Sequence, residues 1–145
     1  MKNTLFLLLL TSALLSGCEN YVYTFNEQPV FEAPKLFADY RVSDQGLAGC
    51  LKQAILDQKA VKASEVLQLN CSNAGIADLS GLEIFTGLTH LNLDNNALTD
   101  IKPLLFLGEL DTVLLSGNER LNCRDGKLLA EQATGTVNLP AHCSQ

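Results

Sequence analysis

Histidine is scarce in this chain: His90 and His142 are the only two among 145 residues. Neither stands at a useful spacing from a nucleophile or a paired carboxylate, so the sequence offers no acid–base constellation for catalysis. No two cysteines show C-x-x-C spacing, which argues against a zinc site and against a thioredoxin-type redox centre. No run reaches the roughly 20 apolar residues that a membrane-spanning helix needs. Basic residues are also in short supply, with Lys+Arg 10 against Asp+Glu 16. A chain so balanced has no broad attraction for nucleic acid or for an anionic membrane surface. What is left is enough for one domain with a modest core and, by these exclusions, a binding or structural role.

The amino terminus reads separately. Lys2 precedes a run of apolar and small residues from 5 to 15, followed by Ser16, Gly17 and Cys18. A basic start, a short apolar core and small residues before a break make a secretory signal. The alternative, an ordinary signal with an incidental cysteine, stays open on these features alone. Leu15-Ser16-Gly17-Cys18 resembles the bacterial lipobox, in which the chain is cut before the cysteine and its thiol is acylated. That resemblance implies a lipoprotein signal peptide over 1–17 and three acyl groups, palmitate among them, at Cys18. Several chains matter, because one acyl chain at about 0.8 kcal/mol per buried CH₂ holds only marginally. Glu19, rather than Asp, implies the outer membrane by resemblance to enteric sorting, facing the periplasm or the surface. Without residues 1–17, nine basic residues face sixteen acidic ones, a net charge of −7.

Residues 18–36 hold Pro29, Pro34 and several aromatics without helical periodicity, and read as a tether. Tyr21, Tyr23 and Phe25 alternate, as in a short strand or as aromatics lying at a bilayer interface. From Ser43 the pattern turns helical. Leu47, Cys50, Leu51, Ala54 and Ile55 form one apolar stripe, with Ser43 as N-cap and Asp44 near the positive helix end. Gly46 and Gly49 weaken that helix by up to about 1 kcal/mol each. Its stripe must cover something.

What it covers is a repeat. At a spacing of 22, Val66, Leu69, Cys71, Ile76, Leu79, Leu82 and Phe85 align with Leu88, Leu91, Leu93, Leu98, Ile101, Leu104 and Leu107. A third unit runs through Leu110, Val113, Leu115 and Asn118. The middle unit reads Leu88-x-x-Leu91-x-Leu93-x-x-Asn96-x-Leu98, the leucine-rich-repeat pattern. Alternation sends Leu91 and Leu93 to one face of a short strand. Asn96 and Asn118 fall where the chain turns away, and their amides can serve backbone groups there. The first unit departs, with Ala74 at that place and Asn73 one residue early, so a less regular turn is expected.

These residues resemble the leucine-rich-repeat family, in the 22-residue variety of bacterial internalin-type proteins. Leu79-Ser80-Gly81-Leu82, Leu98-Thr99-Asp100-Ile101-Lys102-Pro103-Leu104 and the preceding helix carry the resemblance. It implies an α/β solenoid: a short horseshoe of parallel β-strands with a helical N-cap over 37–65, repeats over 66–122 and a disulfide-closed C-cap over 123–145. Internalin-type proteins usually have more repeats and a cell-wall anchor in place of a lipobox. Excluding Cys18, four cysteines remain, with three possible connectivities or none if the thiols stay free. Within the resemblance, Cys50 lies on the capping helix and Cys71 at an inward strand position, while Cys123 and Cys143 bracket the other end with a last strand at Val137 and Leu139. Pairing Cys50–Cys71 and Cys123–Cys143 would staple each cap to its neighbouring repeat, at about 3 kcal/mol per loop.

Side chains alternating with the inward leucines line the concave face. They are Gln68, Asn70 and Ser72, then His90, Asn92 and Asp94, then Thr112, Leu114 and Ser116, extended by Thr136 and Asn138. Gln68, Asn70, His90, Asn92, Asp94, Thr112 and Leu114 are the candidate contacts for a protein or glycan partner. The plainer reading is that they are solvated strand residues. A scaffolding lipoprotein, touching an envelope complex through the tether or the convex side, is the alternative. No cofactor, metal or nucleic acid is expected, and the membrane enters only through the lipid anchor. His142, beside Cys143, reads as incidental to the cap.

Overall fold

A computed structural model of the chain describes residues 24–25, 28–29 and 34–143. The signal segment, Cys18, Glu19, Tyr21 and Tyr23 lie outside the described residues. The chain divides into two compact units, Met1–Pro34 and Lys35–Gln145. In the first, Thr24–Phe25 (β1) pairs with Gln28–Pro29 (β2) in an antiparallel ladder, so Phe25 is part of a short strand. Among the described residues, no helix is long and apolar enough to cross a membrane.

The second unit begins with extended chain and the helix Gln45–Gln58 (α1). Four strands follow: Gln68–Asn70 (β3), His90–Asn92 (β4), Thr112–Leu114 (β5) and, after the helix Cys123–Gln132 (α2), Val137–Asn138 (β6). They form one parallel sheet in the order β3-β4-β5-β6. Short 3₁₀ turns at Leu82–Ile84 and Lys102–Phe106 carry the chain back between strands, and α2 does so for the last. Gln68 pairs with His90 and His90 with Thr112, so successive partners stand 22 residues apart. The result is an α/β repeat with the sheet on one side of the core and the 3₁₀ turns and α2 on the other.

The aligned apolar residues build that core. All fourteen side chains in the first two units, from Val66 to Leu107, are buried, as are Leu110, Val113 and Leu115. Leu47, Leu51 and Ile55 close one end from α1, where Phe37 and Tyr40 also set their rings against Phe85 with centroids 6.0 and 5.8 Å away. Leu36, which the sequence assigns to the tether, packs against the same core. The disulfides Cys50–Cys71 and Cys123–Cys143 join α1 to the residue that follows β3 and the start of α2 to the C-terminal turn.

The two asparagines sit at the turns and bridge units. Asn96 Nδ2 donates to the carbonyls of Cys71 and Leu93, both at 2.9 Å, while its Oδ1 accepts from the Ala74 and Ile76 amides. Asn118, fully buried, donates to Leu93 and Leu115 and accepts from the Leu98 N–H. A buried amide must find such partners, because leaving one unpaired costs more than the bond contributes.

Three sequence expectations need correcting. Asp44, not Ser43, caps α1: its Oδ1 accepts from Leu47 N at 3.0 Å. Ser43 donates to Asp78 instead. Asp44 is the better choice because its second oxygen also reaches the Ala77 and Asp78 amides, tying the helix to the first turn. Burial alone would raise the Asp44 pKa, but these N–H groups together hold it below the ordinary aspartate value. Secondly, the first turn does depart from the others, but at Gly75, whose φ of 69° has no counterpart at Ala97 or Glu119, rather than through Asn73. Asn73, Asn95 and Gly117 occupy equivalent left-handed positions with φ of 57, 56 and 73°. Asn73 is therefore not a displaced ladder residue but the turn residue, a conformation asparagine tolerates. Thirdly, Gly46 is required by packing. A Cβ there would overlap the Ala74 carbonyl oxygen, so glycine lets the helix approach the first turn.

Candidate functional site

The pleat sends alternate residues out of the core, and the register stacks them into rows. One row is Gln68, His90 and Thr112; the next is Asn70, Asn92, Leu114 and Asn138. Six of the seven candidate contacts therefore meet on one face of the sheet, while Asp94 lies in the turn beyond β4. Gln68, Asn70 and His90 are exposed, while Asn92, Thr112, Asp94 and Leu114 are half-buried among their neighbours. Leu114 is the apolar member of its row, between two asparagines.

The face is walled on one side by α1, a feature the apolar stripe alone does not disclose. Gln53, Asp57 and Gln58 of the helix join the exposed Leu67 and the outward residues of β3, β4 and β5 around a groove of about 880 Å³. Gln58 also finishes the sheet. Its Oε1 accepts from the Leu67 and Gln68 amides, and its Nε2 donates to the Gln68 carbonyl at 2.8 Å. The amide takes the place of a neighbouring strand on an edge that would otherwise invite one.

Local hydrogen bonds determine which polar atoms face outward. Asn92 Oδ1 accepts from the Asp94 amide at 2.9 Å, and Asn70 Oδ1 accepts from Ser72 Oγ at 3.2 Å. Both carbonyl oxygens are thereby turned to their own chain, leaving the NH₂ groups as the available functions. Thr89 Oγ1 stands 3.1 Å from the Leu67 carbonyl and 2.9 Å from His90 Nδ1, which ties the imidazole to its own strand. Asp94, two residues past β4, does not line the groove: its Oδ1 accepts from the Ser116 amide at 2.7 Å and braces its own turn against the next one. Thr112 donates to Asp111.

Elsewhere among the described residues, one group of metal-ligand type comes together, at the C-terminal turn. His142 Nε2 donates to the Leu121 carbonyl at 3.0 Å, which gives this histidine a part in holding the C-terminal turn. It lies close to Cys123 and Cys143, but those sulfurs are bonded to each other. Asp125, buried in the first turn of α2, sits where a helix N-terminus favours a carboxylate.

No family model matches the chain. No curated protein matches it. Among solved structures it is similar to internalin C2 from Listeria monocytogenes, with 25% identity and a TM-score of 0.46 over 51% of this chain and 35% of that one. The chain thus spans about a third of the length of that protein.

Proposed function

We propose that this chain is an envelope-anchored lipoprotein of the leucine-rich-repeat type, which binds a protein or glycan partner on the concave face of its sheet. One observation carries the reading: outward side chains from three successive strands share a groove with the flank of α1. A concave surface with a few convergent polar groups is the usual form of a binding site. Residues on such a platform vary without disturbing the core, because the inward leucines and the turn asparagines lie on its other side. Asn70 and Asn92 supply donors, His90 an imidazole and Leu114 an apolar anchor, so the partner's contact surface is rich in carbonyl or hydroxyl oxygens. Helix α1 and the C-terminal helix act as caps of a short horseshoe, and Cys18 carries the lipid.

Two measurements bear on this. A triple variant, His90→Ala, Asn92→Ala, Leu114→Ala, should melt within a few degrees of wild type, since none of these side chains is in the core. It should recover the envelope partner at roughly a tenth of the wild-type yield or less, because binding energy concentrates in a few central residues. Equal recovery by the folded variant refutes the sheet-face site. Separately, Cys18→Ser should move the protein from the membrane pellet to the soluble fraction. Continued quantitative pelleting would refute lipidation at that residue.

A further inference from the structure

The large apolar side chains left outside the core include three at one spacing. Ile84, Phe106 and Leu128 are 41%, 73% and 44% exposed, and each stands 22 residues from the next. That spacing matches the register of β3, β4 and β5, so the three occupy equivalent places in successive units. They lie on the two 3₁₀ turns and α2, which pack side by side across the core from the sheet. Gln132 of α2 donates to the Leu105 carbonyl at 3.0 Å and fixes the last of these elements against the middle one. Single exposed apolar residues are ordinary on a protein surface, whereas a contiguous row marks a contact.

The charges beside the row identify the partner. Four residues before Phe106 and Leu128 stand Lys102 and Arg124; three residues after them stand Glu109 and Glu131, and all four are exposed. Beside Phe106 and Leu128 the apolar line thus runs between a basic margin and an acidic one, while the same offsets from Ile84 hold the uncharged Ser80 and Gly87. Glu83 and Lys127, next to the line, add one charge of each sign. Lys102 is paired with Asp100 at 2.8 Å, but both side chains are more than half exposed, so the pair is readily exchanged. Opposite margins cancel any attraction for an anionic bilayer. They are, however, complementary to themselves. A two-fold axis parallel to the row lays each apolar residue on its own counterpart and sets the basic margin of one copy against the acidic margin of the other. An axis across the row would oppose like charges.

We propose that the Ile84–Phe106–Leu128 row is a self-association surface that pairs this chain with a second copy about such an axis. The contact is small beside standard interfaces, so the dimer is weak and responds strongly to concentration. It uses the side of the core away from the sheet and stands or falls independently of the groove.

Single-cysteine cross-linking of the full chain tests it. Phe106→Cys should give a disulfide-linked dimer on non-reducing gels, and Leu128→Cys should do so as a second position. Gln68→Cys, on the sheet face, should not, and equal cross-linking there would overturn the proposal. In the Phe106→Cys background, Arg124→Glu or Glu131→Lys alone should lower the yield about fivefold, by opposing like charges. The two together should restore it, which a merely structural role for either residue does not predict. When differently tagged Ile84→Cys and Leu128→Cys chains are mixed, cross-links should join like to like; a mixed cross-link would overturn the axis. Failure of both Phe106→Cys and Leu128→Cys to cross-link overturns the surface itself. So does retained dimerisation in Phe106→Ser together with lost binding to phosphatidylglycerol vesicles, which would make this a membrane face.

Discussion

Asn118→Ala is expected to lower the unfolding free energy by roughly 3 to 5 kcal/mol, counting two buried backbone groups left unpaired and a small cavity. Asn118 has no exposure to solvent, so its bonds are made away from water. Its removal strands the Leu115 carbonyl and the Leu98 N–H, whose bonds to the side chain are 2.8 and 3.2 Å. The third partner, the Leu93 carbonyl, loses less, because Asn96 donates to it as well. A domain of this size has a total stability of roughly 5 to 15 kcal/mol, so this single change takes a large share. In urea the midpoint should fall sharply while the slope stays near the wild-type value, since the native surface is unchanged.

Asn96→Ala is the informative comparison. Asn96 makes at least as many bonds, but it is only half-buried, so water can reach the groups it abandons. Its loss should cost less than that of Asn118. If the two variants are equally destabilised, burial is not what makes these amides valuable, and the bond count becomes the better explanation.

How much of this is legible in the sequence follows from the range of the forces involved. The inward residues are legible because a 22-residue period repeats the same burial problem, and every aligned position from Val66 to Leu107 is in the core. The ladder asparagines are legible for the same reason, since position within a repeat fixes their surroundings, whereas the two disulfides follow only from the family resemblance, because Cys71 alone holds a repeat position. What escapes is whatever depends on one residue meeting a distant, non-equivalent one. Gln58 finishing the edge of β3 is such a case, as is Gly46 against Ala74. The N-cap escapes by one residue because Asp44 is chosen by contacts with Ala77 and Asp78, more than 30 residues away. Helix α2 escapes too, although Asn122 as N-cap and Asp125 in the first turn were there to be read. On the sheet face, the pleat fixes which side chains point outward. Which of their atoms are free depends on hydrogen bonds such as Asn92 to Asp94, which alternation does not specify.

Removing the disulfides should separate the two ends of the domain. By loop-closure entropy, Cys50–Cys71 and Cys123–Cys143, with sequence separations of 21 and 20, contribute about 3 kcal/mol each. Replacing each pair by alanines avoids burying a hydroxyl at Cys71 or Cys143, both of which are buried. The consequences differ because the remaining fastenings differ. Without Cys50–Cys71, α1 is still held by Leu47, Leu51 and Ile55 in the core, by Asp44 at its start and by Gln58 at its end. It should stay docked and unfold with the sheet, so the loss appears as a uniform drop in global stability. Helix α2 has fewer ties: buried Leu129, the Asn122 amide on the Thr99 carbonyl at 3.1 Å, and the Gln132 bond to Leu105. Without Cys123–Cys143, residues from 122 onward should open as a local unit before the rest unfolds. Hydrogen exchange read by mass spectrometry distinguishes the two. Amides of α2 and β6 should exchange at least tenfold faster than those of β4 in the Cys123→Ala, Cys143→Ala protein, and no such gap should develop between α1 and β4 in the Cys50→Ala, Cys71→Ala protein. If α1 instead opens locally, Gln58 and Asp44 do not hold it, and the amino-terminal disulfide is the fastening on which docking of the helix depends.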